Sequence, residues 1–292
     1  MRKFFIIINP ASGRGEALKK LMIVNRRLYQ AGIAFQVFYT QADRHADRVV
    51  EEEFNTNQFS DLMIIGGDGT INETLNGMKG SKVPVSLISA GRGNDAVRNL
   101  IGTLNLNLQI QIAIEGTSKS VDLGMCNNRV FVNGLGIGFD GKVVEIMNQS
   151  RGRTKGSFSY YRTVLGLLPK YKESSLQVKV DNQRLESIIF LMTVSKGKYF
   201  GGGFMLNPFA SHTDGFLDLC LIRKISILKR FLFLPTMSFG GHKNLKEVTF
   251  LKSRECFVEA DENMVAHLDG EFFGHPPFSI KVLPQYLNVR TG

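Results

Sequence analysis

Four short apolar runs, each followed by a stretch with helical spacing, constrain the first 123 residues more than any other feature. Residues 4–8 form a continuous run rich in β-branched side chains, the pattern of a strand buried on both faces. After a loop at 9–15, residues 16–30 carry Leu18, Met22 and Leu28 at near-helical intervals, and Gly32 closes the helix. Residues 35–39, 62–65 and 85–88 read as three more strands, and 45–54, 71–78 and 95–100 as helices. Such alternation predicts an α/β amino-terminal domain with a parallel sheet covered by helices on both faces.

The pattern changes near Asp122. Residues 130–132, 176–180, 188–194, 216–222, 248–250, 256–259 and 278–283 read as strands, with helices only at 142–147 and 158–168. This predicts a mainly antiparallel β-sandwich carboxy-terminal domain. The domains are therefore set at 1–123 and 124–284, with 285–292 returning to the first through a strand at Tyr286 to Val289.

At 292 residues the chain has room for two cores, and 43% hydrophobic against 21% charged residues is the balance of a folded protein. No apolar run approaches the ~20 residues of a membrane span. The run after Met1-Arg2-Lys3 stops at Asn9-Pro10, short of the ~7–15 residues of a signal core. Cys126, Cys220 and Cys256 lack paired spacing, which argues against a disulfide framework or a zinc site and for a reduced, cytoplasmic protein. The net charge of +10 is uneven: residues 1–123 hold 14 basic and 12 acidic side chains, residues 124–292 hold 22 and 14. A basic surplus suits a polyanionic partner. No recognition motif accompanies it, so nucleic acid is not expected.

The chemistry concentrates at the strand ends. Gly66-Gly67-Asp68-Gly69-Thr70 lies between a strand and a helix, where glycines let backbone N–H groups approach an anion and the helix N-terminus adds positive charge. Thr70 can donate a hydroxyl, and Asp68 suits a phosphate-bound Mg²⁺ or its water better than a naked phosphate. A tight turn with a capping aspartate is the plainer alternative. Asn9-Pro10-Ala11-Ser12-Gly13, Thr40 and Ser89-Ala90-Gly91-Arg92-Gly93-Asn94-Asp95 leave the other strands on the same edge, where open α/β sheets bind ligands. The Walker pattern is absent.

Asn9-Pro10-x-Ser12-Gly13, Gly66-Gly67-Asp68-Gly69-Thr70-x-x-Glu73 and Gly91-x-x-Asn94-Asp95 together resemble the catalytic domain of the diacylglycerol kinase family, shared with sphingosine and ceramide kinases. The second half resembles the soluble bacterial lipid kinases. It carries Phe131-Val132-Asn133, Gly136-Ile137-Gly138-Phe139-Asp140, Gly201-Gly202-Gly203-Phe204, Asp214-Gly215-x-Leu217-Asp218 and Leu268-Asp269-Gly270-Glu271 in the family's order. Gly-Gly-Asp-Gly also occurs in NAD kinases, and the segment at Asp269 favours the lipid kinases.

The resemblance implies ATP on Asn9, Pro10, Ala11, Ser12, Gly13, Thr40 and residues Gly66, Gly67, Asp68, Gly69, Thr70, Ile71, Asn72 and Glu73, with Arg92 and Asn94 nearby. It implies Asp269 as the general base toward a lipid's primary hydroxyl, and Asp68 and Asp95 as supports of the catalytic Mg²⁺ through water. Asp214, with the carbonyls of Ser211 and Phe216, matches a second, structural metal site; a turn aspartate before glycine is the alternative. Ser89 stands where the family usually has proline, Arg92 where it has threonine, and Lys196 where asparagine is common. The acceptor is left open among diacylglycerol and other lipids with a primary hydroxyl. The alternatives are an NAD kinase-like enzyme and a catalytically silent regulator. Peripheral contact with an anionic membrane is expected through Arg151, Arg153, Lys155, Arg162, Lys170 and Lys172 around the Tyr160–Leu168 stretch, or through residues 225–234; packed helices with solvated lysines are the alternative. A homodimer is compatible with the sequence without being read from it.

Overall fold

Hydrophobic strands too apolar to face water on either side set the arrangement of the first unit. The computed structural model describes residues 2–41, 45–149, 157–181 and 183–292. The chain divides into two compact units, 1–123 with 284–292, and 124–283.

In the first unit, β1 (Lys3–Ile8), β2 (Ala34–Tyr39), β3 (Asp61–Gly66) and β4 (Val85–Ser89) alternate with α1 (Glu16–Gln30), α2 (Ala46–Glu53), α3 (Asp68–Gly77) and α4 (Asp95–Ile101). Helix α5 (Leu106–Glu115) and strand β5 (Thr117–Cys126) follow. The strands pair in parallel in the order β4-β3-β1-β2, as the alternation predicts. Every residue of β3 and β4 is buried, which accounts for their unbroken apolar runs. Helix α1 spans the expected residues but rests on the sheet through Ala17, Leu21, Val24 and Leu28. Leu18 and Met22 are exposed, Met22 at 67%. The buried stripe is offset by one position, about 100° around the helix, because the small Ala17 belongs to it.

The second unit begins with β6 (Arg129–Phe131), β7 (Gly134–Gly138), α6 (Phe139–Gln149), α7 (Ser157–Leu167), β8 (Ser174–Val180) and β9 (Gln183–Ser195). The short pair β10 (Tyr199–Phe200) and β11 (Phe204–Met205) precedes β12 (Leu217–Arg223) and α8 (Ile227–Phe233). The chain closes with β13 (Val248–Ser253), β14 (Glu255–Ala260), β15 (Ala266–Leu268), β16 (Glu271–Gly274) and β17 (Phe278–Thr291). Pairings within this unit are antiparallel, along β16-β15-β7-β9-β8-β14-β17, with β12 joining β9 to β13. The strands enclose an apolar core that includes Phe131, Ile137, Met192, Leu219, Val258 and Phe278, and a second cluster gathers around Phe139, Phe190 and Phe233.

Strand β17 runs from the second unit back into the first, where Val289 pairs with Val85 of β4 in parallel and the strand also pairs with β5. Its side chains are anchored there. Arg290 Nε donates to Asp61 Oδ1 at 2.6 Å, and Arg2 Nε and Nη2 donate to the same carboxylate at 3.1 and 3.0 Å. Asp61 is 1% exposed, so this carboxylate depends on its two guanidinium partners.

Candidate active site

The ends of β1, β3 and β4 converge because their loops cannot be bulkier than they are. A Cβ on Gly91 would lie 2.5 Å from Gly67 Cα, and one on Gly13 would lie 2.6 Å from the Ala90 carbonyl oxygen. Glycine is therefore required by close backbone approach, and Gly13 also has φ +62°. Asn9 Nδ2 donates to Thr70 Oγ1 at 3.3 Å, and Ala11 N–H donates to Asn9 Oδ1 at 3.0 Å. These bonds tie the loop of Asn9, Pro10, Ala11, Ser12 and Gly13 to the start of α3. Thr40, leaving β2, is buried and donates its N–H to the Ile8 carbonyl at 2.9 Å.

Asp68 Oδ1 accepts from Ala96 N–H at 2.8 Å, and Asp95 Oδ1 accepts from Arg98 Nη1 at 2.9 Å. The first bond joins the Gly66–Thr70 turn to the N-terminus of α4, bringing both aspartates to one corner. Asn94 holds a left-handed conformation, φ +54°, and its side chain closes the loop by accepting from Gly91 N–H at 2.8 Å. Arg92 is exposed. Ser89, where the resemblance leads one to expect proline, donates its N–H to Gln109 Oε1 at 3.0 Å, a bond a proline could not make.

Three of the residues expected around the nucleotide turn their side chains into the unit. The Ile71 side chain is fully buried in the sheet–helix core. Asn72 is buried and accepts from Asn76 Nδ2. Glu73 Oε2 accepts from Ala46 N–H at 3.2 Å, capping the start of α2. Their side chains are occupied inside the unit. Lys20 was not among the expected residues: its ammonium donates to the Ser89 carbonyl at the end of β4, and burial pushes its pKa down. A lysine in the second turn of the first helix offers no motif to find it by.

In the second unit, Leu268-Asp269-Gly270-Glu271 forms a tight hairpin turn joining β15 to β16, with positive φ at Asp269 and Gly270 (48° and 87°). The Asp269 carboxylate is held by three backbone N–H donors: Val132 to Oδ2 at 2.8 Å, and Asn133 and Gly134 to Oδ1 at 2.8 and 3.0 Å. Asp269 is 8% exposed. Two residues earlier, His267 Nε2 donates to Asp140 Oδ2 at 2.7 Å, while Gly270 N–H donates to His267 Nδ1 at 3.2 Å. Burial opposes charge on this imidazole, but the adjacent Asp140 carboxylate outweighs it and raises the pKa. A Cβ on Gly136 would lie 2.3 Å from His267 Nε2, which explains the glycine in β7. Asp140 and His267 each lie in or beside a recognisable motif, but their pairing joins positions 127 apart and has no sequence signal.

Asp140 also lines a cavity with Phe139, Tyr160, Phe190, Phe204 and Phe233, among other apolar side chains. It encloses about 500 Å³ of space, part of it open to solvent.

The residues expected to hold a second metal do not fit one. Lys196 Nζ donates to Asp214 Oδ1 at 3.0 Å and to the Phe216 carbonyl at 2.5 Å. Lys252 Nζ donates to Asp214 Oδ2 at 2.5 Å. Ser211 Oγ lies 3.3 Å from Thr213 Oγ1. Burial pushes the Asp214 pKa up, but the two ammonium groups and the Phe216 N–H overcome it and hold the carboxyl at about 2. Among the described residues no group of three or more His, Cys, Asp or Glu side chains could hold a metal ion. The basic residues Arg151, Arg153 and Lys155 lie outside the described residues.

Comparison with known proteins agrees with this architecture. The family model described as the YegS C-terminal NAD kinase beta sandwich-like domain matches residues 133–291, and the diacylglycerol kinase catalytic domain matches residues 3–126. The chain belongs to the bacterial diacylglycerol kinase-like family, and it is a lipid kinase. Among its relatives, it is 28% identical over 295 residues to a diacylglycerol kinase of Staphylococcus carnosus, covering 98% of this chain and 94% of that one. It is 28% identical over 296 residues to the diacylglycerol kinase of Bacillus subtilis, covering 99% and 96%. A crystal structure of a diacylglycerol kinase from Bacillus anthracis shares the fold, with a TM-score of 0.77, 21% identity and coverage of 100% of this chain and 97% of that chain.

Proposed function

We propose that this chain transfers the γ-phosphate of ATP to the primary hydroxyl of a lipid such as diacylglycerol, with Mg²⁺. The observation that carries the acceptor class is the apolar cavity in the second unit: its carboxylate Asp140 is bonded to His267, which adjoins the Asp269 turn. A soluble dinucleotide acceptor has no use for that lining, whereas an acyl chain does.

In the first unit, the turn of residues 66–70 presents the start of α3 to the phosphates, with the loop of residues 9–13 and the loop at Gly91 beside it. Thr70, Lys20 and Arg92 add a hydroxyl and two cationic groups at this edge. Asp68 and Asp95 are hard oxygen donors at one corner and would hold Mg²⁺ through water. When bound, the ion neutralises phosphate charge as it builds. Asp269 is the base. The lipid oxygen attacks the γ-phosphorus, the bond to the ADP oxygen breaks, and the hydroxyl proton passes to the Asp269 carboxylate. A loose transition state needs that proton removed only late, so a firmly positioned carboxylate serves even with three N–H donors on it.

The outer face of α8 supports a membrane-contacting, peripheral cytoplasmic role. Leu228 and Leu232 are 73% and 67% exposed there, while Arg230 and Phe233 of the same helix line the cavity. Among the described residues no helix is long and apolar enough to cross a membrane.

The test is γ-phosphate transfer to a panel of lipid acceptors in mixed micelles, with NAD as a control. Phosphorylation of one lipid, abolished in Asp269→Asn with ATP binding retained, is expected. Transfer to NAD alone, or undiminished turnover in Asp269→Asn, would overturn the acceptor or the base.

A further inference from the structure

We propose that the Lys196 ammonium is a built-in replacement for a divalent cation in the loop of residues 211–216. The two atoms it bonds, Asp214 Oδ1 and the Phe216 carbonyl oxygen, are a carboxylate and a carbonyl, the donor pair that would otherwise suit a hard metal ion. The lysine side chain is 0% exposed, so its charge cannot be satisfied by water. It needs this loop, and the loop needs a cation.

Charge balance points the same way. Asp214 and Asp218 are the carboxylates here, and Lys196 and Lys252 the cations, with Lys252 Nζ 3.1 Å from Asp218 Oδ1. The cluster is neutral as it stands. A divalent ion added to it would leave two uncompensated positive charges in a setting where Asp218 is buried.

The replacement is also wired to the Asp269 segment. Lys196 N–H and Gly197 N–H both donate to the Asn133 carbonyl at 2.9 Å, and His212 Nε2 lies 3.1 Å from the Val132 carbonyl. Val132 and Asn133 are two of the three donors to Asp269. Lys196 is thus a positioning residue: its cation holds the 211–216 loop against the strand connection that orients the carboxylate. A tethered ammonium does this at any free metal concentration. The inference concerns the second unit alone and does not depend on which acceptor is phosphorylated.

The experiment compares the intact chain with Lys196→Asn, without nucleotide, by thermal unfolding in EDTA and in excess Ca²⁺ or Mg²⁺, together with elemental analysis of metal after desalting. The native chain is expected to show the same Tm in all three conditions and to carry no stoichiometric metal. Lys196→Asn removes the charge and leaves an amide oxygen facing the loop. It is expected to have a lower Tm in EDTA that rises when a divalent ion is added. Lys252→Met, which keeps Lys196, is expected to lose stability without gaining that dependence. A native chain that loses Tm in EDTA and holds one metal per chain would overturn the proposal, and this result needs no variant to fold. A folded Lys196→Asn that ignores divalent ions would overturn it as well.

Discussion

Removing the Asp269 carboxylate should cost folding stability as well as turnover, and the two losses can be separated. Three buried N–H groups, on Val132, Asn133 and Gly134, donate to it at 2.8–3.0 Å. A buried donor left unpaired costs about 1–3 kcal/mol. Asp269→Ala orphans all three, and with some re-entry of water the expected cost is about 3–6 kcal/mol. Asp269→Asn differs in kind. Its amide oxygen can take the Asn133 and Gly134 donors, while its NH₂ faces the Val132 N–H, so about one bond is lost, or about 1–3 kcal/mol. At about 2–4 °C per kcal/mol, alanine should lower Tm by about 6–24 °C and asparagine by about 2–12 °C. The assay is thermal unfolding by circular dichroism beside phosphoryl transfer below both transitions. Both variants should be inactive there, with ATP affinity retained. An Asp269→Ala protein that unfolds within about 2 °C of the native chain would refute the bonding argument, because three orphaned buried donors cannot be that cheap. Activity in Asp269→Asn would refute the base.

Three further outcomes follow from the geometry. Gly91→Ala places a Cβ 2.5 Å from Gly67 Cα and forces the two loops apart; calorimetric titration should show ATP binding weakened by about tenfold or more, in line with about 1–3 kcal/mol of overpacking strain. Arg230→Met removes the partner of buried Glu173 and the donor to the Leu168 and Tyr171 carbonyls. It should destabilise the second unit by about 3–5 kcal/mol in urea unfolding, and Glu173→Gln on top should recover part of the loss. Asp214 has a folded pKa near 2, below its ordinary value, so its pairing stabilises the fold above about pH 4. That contribution disappears as pH falls through 2, and Asp214→Asn should flatten the acid limb of the Tm–pH curve.

Much of this was visible in the residues because local and global signals agree. Strands β1, β3 and β4 are buried on both faces, so their apolar runs needed no partner to be recognised, and glycines where loops meet left equally plain marks. The misreadings have physical causes. Strand β7 went unassigned because Gly134, Gly136 and Gly138 suppress strand propensity, yet each glycine is there because a neighbour fills the space of a Cβ. Helix α5 has apolar residues at every second position from Leu106 to Ile114, the period of a strand, but Asn105 caps it by accepting from Leu108 N–H. Glu73 closes a sequence motif, and the structure adds that its side chain caps α2. The Asp140–His267 pair and the Lys196–Asp214 contact join residues 127 and 18 positions apart. No spacing rule reaches across such separations.

The path of β17 has a consequence for synthesis. Residues 284–292 complete the first unit beside β4 and β5 and bring Arg290 to Asp61, yet they leave the ribosome after all 160 residues of the second unit. Until then β4 has an unfilled edge and Asp61 lacks one of its two guanidinium partners. The first unit is thus begun first and finished last, and a nascent chain stalled before residue 284 would present an open sheet edge to its neighbours.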